Sequence, residues 1–283
     1  MLKPEAAPLA VLTAVGGEPD DAVAIATAAD LARRHGVTAV AVNAFAPMPP
    51  VMGPALGRSI MAPQILTAIA TRRDVVDQTI HDLVDAANRR ANATVIRLAE
   101  PSQSVWMTLM RELPLVDLCV LAQSSTAGDG AWTGPLGEAL MEARVPVYLA
   151  RDATPIVGRT IAIAWDGSFE AARAVRAAAP LLQEASDIAI LQDTDGLDDE
   201  AGARADPARL AAWLEGRGLP ASRYVEAKGG KVGPLLLEAA DAVGAALLVA
   251  GAYRHSRLFE ALFGGVTRAF LRAADGPHLL IAH

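Results

Sequence analysis

Cysteine is almost missing from this chain of 283 residues, which carries only Cys119. One thiol closes no intramolecular disulfide and builds no cysteine zinc site. Its apolar setting, LCVLA, suits a small buried hydrophobe. Lysine is scarce too: only Lys3, Lys228 and Lys231 occur, and none follows a GxxxxGK[ST] loop, which excludes a P-loop nucleotidase. No GxSxG elbow precedes a plausible base, so covalent hydrolase chemistry is not expected. The five histidines, His35, His81, His255, His278 and His283, include no pair at helical metal-ligand spacing, and no metal is expected. No apolar run approaches the roughly 18 uninterrupted residues of a membrane helix. A positive excess is lacking as well: 11 basic residues face 15 acidic ones over 1–150, and 14 face 17 over 151–283, for a formal charge of -7. Neither half is a basic arm, so no nucleic-acid partner is expected.

Apolar types make up 52% of the sequence and charged types 20%, an ordinary globular balance. At about 150 residues per domain the length predicts two domains. Lys3 followed by apolar residues resembles a short secretory signal, but Glu5 and Pro8 interrupt it and the run from Leu9 to Val15 is needed as a first strand. A cytoplasmic protein without a membrane partner is the expectation.

Short strand-like runs alternate with longer helical stretches, the pattern of βαβ units on a parallel sheet. In the first half the runs are 9–15, 38–45, 93–99, 117–123 and 145–150. In the second they are 159–165, 187–193, 222–227, 245–251 and 277–283. The fourth runs, DLCVLA and AALLVA, and the last, VPVYLAR and GPHLLIAH, match in pattern, which reads as an internal duplication. The predicted architecture is α/β: two similar domains, 1–151 and 158–283, each a five-stranded parallel sheet sandwiched by helices, Rossmann-like. Pro155 and Gly158 mark the linker. The proline- and methionine-rich stretch 47–63 has no counterpart in the second half and reads as a surface loop, with a ligand lid as the alternative.

In such sheets ligands bind beyond the carboxyl ends of the strands, where the strand order reverses. After the first strand of the second half comes AWDGSFEAAR. Asp166 there is a candidate to accept bonds from a sugar or a base edge, and helix capping by Asp166 or Ser168 is the plainer reading. After the fourth strand comes GAYRHSRLFEALFGGVTRAF. Gly251 ends the strand, and Gly264, Gly265 and Thr267 precede a helical run where backbone amides can meet an anion. Arg254, His255, Arg257 and Arg268 add positive charge. The acidic run Asp193 to Glu200 reads as a solvated loop.

These residues carry a resemblance. AWDGS, and the later GxxG, nine residues, Gly, then Ser or Thr pattern, resemble the universal stress protein (UspA-like) family, in a tandem form within the adenine nucleotide alpha hydrolase-like folds. The resemblance implies an adenine nucleotide, ATP or AMP, in the second half. It implies Asp166 near ribose and adenine, backbone near Asp193 at the base, and Gly251, Gly264 and Gly265 around phosphates. Two departures stand out. Arg254 replaces the second motif glycine, and Gly265 stands where Ser or Thr is expected, with Thr267 two positions on. Arg254 either fills the phosphate space or supplies a guanidinium to it. In the first half Gly16 stands about where Asp166 stands and no GxxG follows the fourth strand, so that site reads as degenerate.

The resemblance implies binding and regulation rather than enzymatic turnover, with a ligand-free interaction scaffold as the competing reading. A weak nucleotide hydrolase is disfavoured because no base or metal set is evident. The last strands are apolar enough for burial on both faces, which predicts an internal pseudo-dimer of the halves, with further homo-oligomerisation open.

Overall fold

The computed structural model describes residues 9–43, 63–99, 105–126, 136–195, 204–220, 222–252, 265–273 and 275–283. The first half contributes strands β1 (Val11–Val15), β2 (Ala39–Asn43), β3 (Ile96–Ala99), β4 (Leu118–Ala122) and β5 (Val147–Ala150). Its helices are α1 (Asp21–Arg34), α2 (Pro63–Ala91) and α3 (Val105–Glu112), with a π-helical turn at Glu138–Glu142. The second half adds β6 (Thr160–Ala164), β7 (Asp187–Asp193), β8 (Ser222–Ala227), β9 (Ala245–Gly251) and β10 (His278–Ala282). Its helices are α4 (Phe169–Leu182), α5 (Pro207–Glu215), α6 (Val232–Ala242) and α7 (Gly265–Arg272).

All ten strands join one sheet in the order β3-β2-β1-β4-β5-β10-β9-β6-β7-β8. Each half is a parallel five-stranded unit whose order reverses beside its first strand, between β1 and β4 and between β6 and β9. The halves meet through one antiparallel pair, β5 with β10, in the register Leu149↔Leu279, Tyr148↔Leu280, Val147↔Ile281. The central strands VLTAV, LCVLA, VYLA and HLLIA are buried at every position. Near-continuous apolar composition is what a strand covered on both faces requires. The rim strand β8, SRYVEA, is mostly exposed and carries Arg223 and Glu226, charges that discourage a further strand from adding.

Helix α4 presents Ala171, Ala174, Val175, Ala178, Leu181 and Leu182 to the sheet, an i, i+3, i+4, i+7 stripe. The apolar cluster on its face also holds Ile25 and Leu31 of α1, Ile80 of α2 and Leu210 of α5. The cluster on the opposite face holds Leu109 of α3, Leu140, Leu236 of α6 and Phe270 of α7. Both clusters draw on both halves, so the core runs across the seam. Cys119 lies inside it, where burial pushes the thiol up to about 12, leaving it protonated and unreactive at neutral pH.

Polar contacts lock the seam. Arg151 donates through Nε to Pro277 O (2.6 Å) and through Nη1 to Ala273 O (2.6 Å). Gln123, just past β4, donates to the carbonyls of Phe270 (2.9 Å) and Ala273 (3.3 Å), so the C-terminal end of α7 is capped by the other half. Arg34 at the end of α1 pairs with Glu184 beyond α4. The halves are also internally equivalent here: Gln123 N bonds Ala150 O at 2.8 Å, and Ala252 N bonds Ala282 O at 2.8 Å.

Candidate functional site

The loop after β6 runs Trp165-Asp166-Gly167-Ser168 into α4. Ser168 is the N-cap, its Oγ accepting from Ala171 N at 3.1 Å, and Asp166 Oδ1 accepts from Ser168 N at 2.9 Å. The capping chemistry expected of AWDGS is therefore in place. Gly167 has φ +70°, and a Cβ there would lie 2.6 Å from the Arg204 carbonyl carbon and oxygen. The chain segment that passes so close is held by Gln192 of β7. Its Nε2 donates to Ala205 O at 2.6 Å and to Trp165 O at 3.4 Å, and Ala205 is fully buried. Residues 204–205 thus roof the carboxyl ends of β6 and β7.

Asp193, the last residue of β7, accepts from Asp195 N at 3.2 Å and so orders its own turn. Gly251 ends β9, and a Cβ on it would lie 2.6 Å from Ala171 N and 2.9 Å from Glu170. Only glycine lets the first turn of α4 settle this closely on the strand end. Gly265 opens α7 with free space around its Cβ position, and Thr267 is buried in that helix's first turn. Gly265 and Thr267 thus lie within the helix rather than ahead of it. The fold brings Asp166 and Gly251 together around the α4 N-terminus, at the point where strand order reverses. Arg254 and Gly264 lie outside the described residues, as do His255, Arg257 and most of the stretch 47–63.

The first half shows the same loop with its anion built in. Thr13 pairs beside Val120 and Ile163 beside Val249, so positions 16, 17 and 21 correspond to 166, 167 and 171, and Ala122 corresponds to Gly251. Gly17 has φ +83°. The buried Asp21 Oδ2 accepts from Gly16 N (3.0 Å), Gly17 N (2.7 Å) and Glu18 N (3.1 Å). Three converging amides form an anion-binding nest. Burial pushes the Asp21 carboxyl up, against the pull of the Gly17, Gly16 and Glu18 amides. Helix α2 covers the loop: a Cβ on Gly17 would lie 2.6 Å from Val76, and Asn43 Nδ2 donates to Asp77 Oδ1 at 2.9 Å. This loop is filled by its own carboxylate and covered by its own helix. Asp21 is invisible to motif reasoning because an acid at a helix start reads as a dipole partner.

A cavity of about 610 Å³ opens beside the β6 loop, between α4 and α5. Asp166, Gly167 and Ser168 are in its wall, and Gly251, Gly265 and Thr267 are not. The wall also carries Trp165, Trp213 and three arginines, 176, 204 and 209, against the acids Asp166 and Glu170. Sequence reasoning missed this cavity, because its residues come from two helices whose separation is set only by packing. Among the described residues no group of three metal-ligating side chains converges. Among them, too, no helix is long and apolar enough to cross a membrane.

Residues 158–282 match the family model "Universal stress protein family". No protein of curated function matches the chain in sequence. Among solved structures, a universal stress protein from Archaeoglobus fulgidus DSM 4304 superposes with a TM-score of 0.66 at 12% identity, over 98% of this chain and 96% of that one. A putative universal stress protein from Pseudomonas aeruginosa UCBPP-PA14 superposes with a TM-score of 0.59 at 14% identity, over 98% of this chain and 94% of that one. At such identities these structures speak for the fold. The C-terminal half of the chain thus matches the universal stress protein family model, and the whole chain has the fold of a tandem, UspA-like protein.

Proposed function

We propose that this chain is a cytoplasmic regulatory protein that binds an adenine nucleotide, ATP or AMP, at the carboxyl ends of β6 and β9, and does not turn it over. The observation that carries the reading is the exchange of Asp21 for Ala171 at equivalent positions. In the first half the loop after strand one gathers three amides on a carboxylate of the same chain. In the second half the loop keeps its left-handed glycine, Gly167, but the residue that would fill the nest is an alanine. There Asp166 Oδ1 holds the Ser168 amide, and with no carboxylate at position 171 a loop of this shape suits an external anion. In this reading Asp166 faces the sugar, the backbone at Asp193 borders the base, Gly251, Gly264, Gly265 and Thr267 border the phosphates, and Arg254 offsets their charge.

One observation favours the competing scaffold reading: Ala205 is fully buried over the ends of β6 and β7, which narrows the space for a base. Mass spectrometry of small molecules released from the purified chain decides between the two, together with melting curves in millimolar ATP and AMP. A ligand at about a hundred times its Kd stabilises by about 2.7 kcal/mol, a readily measured rise in Tm. The nucleotide reading expects that rise and its loss in Asp166→Ala. No released nucleotide and an unmoved Tm leave the scaffold.

A further inference from the structure

We propose that the cavity between α4 and α5, which adjoins the β6–β9 crevice at the shared loop Asp166–Ser168, is a second binding site for a small planar aromatic anion. Three features of its wall ask for the same ligand. Trp165, Trp213 and the 79% exposed Phe169 offer aromatic surface, and Arg217 stacks on Trp213 with its guanidinium carbon 3.7 Å from the ring centre. Arg176, Arg204 and Arg209 are exposed cations with no hydrogen bond or ion pair to another described residue. The Trp165 Nε1–H is buried and has no acceptor among the described residues. A flat ring packs on the aromatic side chains, and an anionic substituent meets the guanidiniums.

A cavity of the other half, toward the C-terminal ends of its helices, makes a contrast. It lies between α1 and α2, measures about 380 Å³ and has no aromatic residue among the described residues of its wall. Its Arg33 is already paired with Asp30 at 2.8 Å. Arg90 also lies in that wall, so what sets the α4–α5 groove apart is three cations beside indoles rather than cations alone.

Isothermal titration of the full chain with naphthalene-1-sulfonate tests the assignment, with tryptophan emission followed in parallel. The expected result is saturable binding at one probe per chain, with quenching of the indoles. Binding should weaken about tenfold or more, some 1.4 kcal/mol, in Arg204→Gln/Arg209→Gln, and to a similar degree for the uncharged probe 1-naphthylmethanol. Both arginines are exposed, so the variant should keep the parent's Tm, and Trp213→Leu gives an independent second variant. Heat that never saturates, or affinity unmoved by both variants, overturns the proposal. Asp166 lies in the wall of both sites, so Trp213→Leu, on α5, tells them apart: it should weaken the naphthalene probe and leave the nucleotide-induced rise in Tm unchanged, and loss of both would overturn the proposal.

Discussion

His278 illustrates how single residues hold this fold together. It is buried at the start of β10, its ring 5.5 Å from that of Tyr148. Nδ1 accepts from Arg151 N at 3.1 Å, so the proton sits on Nε2 and is donated to Thr154 O at 3.1 Å. The neutral ring is fully satisfied, and a second proton would point at an N–H. Burial, the largest cause, lowers its pKa from 6.5, with Arg151 and Arg159 adding to the shift, while the Thr154 carbonyl and Asp152 oppose it. A lowered histidine pKa favours the neutral form in the native state. Its stabilisation is therefore complete above the unfolded value of 6.5 and is lost as pH falls below that value towards the native one. Tm should drop between about pH 7.5 and pH 5, with up to about one proton taken up on unfolding through this group. His35, also lowered chiefly by burial, contributes in the same direction. His278→Gln should flatten the profile measured by calorimetry across that range; an identical slope in the variant would refute the assignment. Asp21 and Gly167 make a related point. One fills an amide nest and the other lacks a Cβ that would strike Arg204, so each is fixed by a neighbour distant in sequence or beyond the reach of a motif.

At the scale of elements, the antiparallel pair β5–β10 decides how the halves sit. Both strands were legible as apolar and able to pair, VPVYLAR and GPHLLIAH, because doubly covered strands leave a run of Val, Leu, Ile and Ala in the sequence. Their register was not legible, since a run apolar on both faces specifies no side. The seam contacts select it, Arg151 and Gln123 gripping the carbonyls that end α7. Leu280→Pro should break the pair at its centre, where Leu280 faces Tyr148. A proline in a central strand removes a ladder bond and is tolerated essentially only at edges or bulges, so the variant should be clearly destabilised. Chemical denaturation would then show both halves weakened together. A variant with an unchanged midpoint would mean that the seam contributes nothing. Helix α7 belongs to the same scale. It starts at Gly265 in the candidate phosphate region and ends on Gln123 and Arg151, so the first half positions the second half's helix.

For the whole molecule, a ten-stranded sheet with two apolar layers crossing the seam predicts one cooperative unit. Scanning calorimetry should give a single transition whose calorimetric and van't Hoff enthalpies agree within error. Two resolved transitions would show that the halves unfold independently. Expressed alone, each half would bare β5 or β10 as an apolar edge, a template for self-association.

The sequence by itself determined the class, the duplication and the run of strands along each half, because burial on two faces writes itself as apolar runs spaced by helices. It also placed Asp166, the N-cap Ser168 and Gly251, since capping and strand ends are local. Only the tertiary structure decided what surrounds them. The Asp21 carboxylate in the first nest, Ala205 over β6 and β7, and the arginine-lined groove between α4 and α5 all arise from segments that meet through packing. Helix-to-helix packing conserves no spacing along the chain, so no pattern of residues announces it.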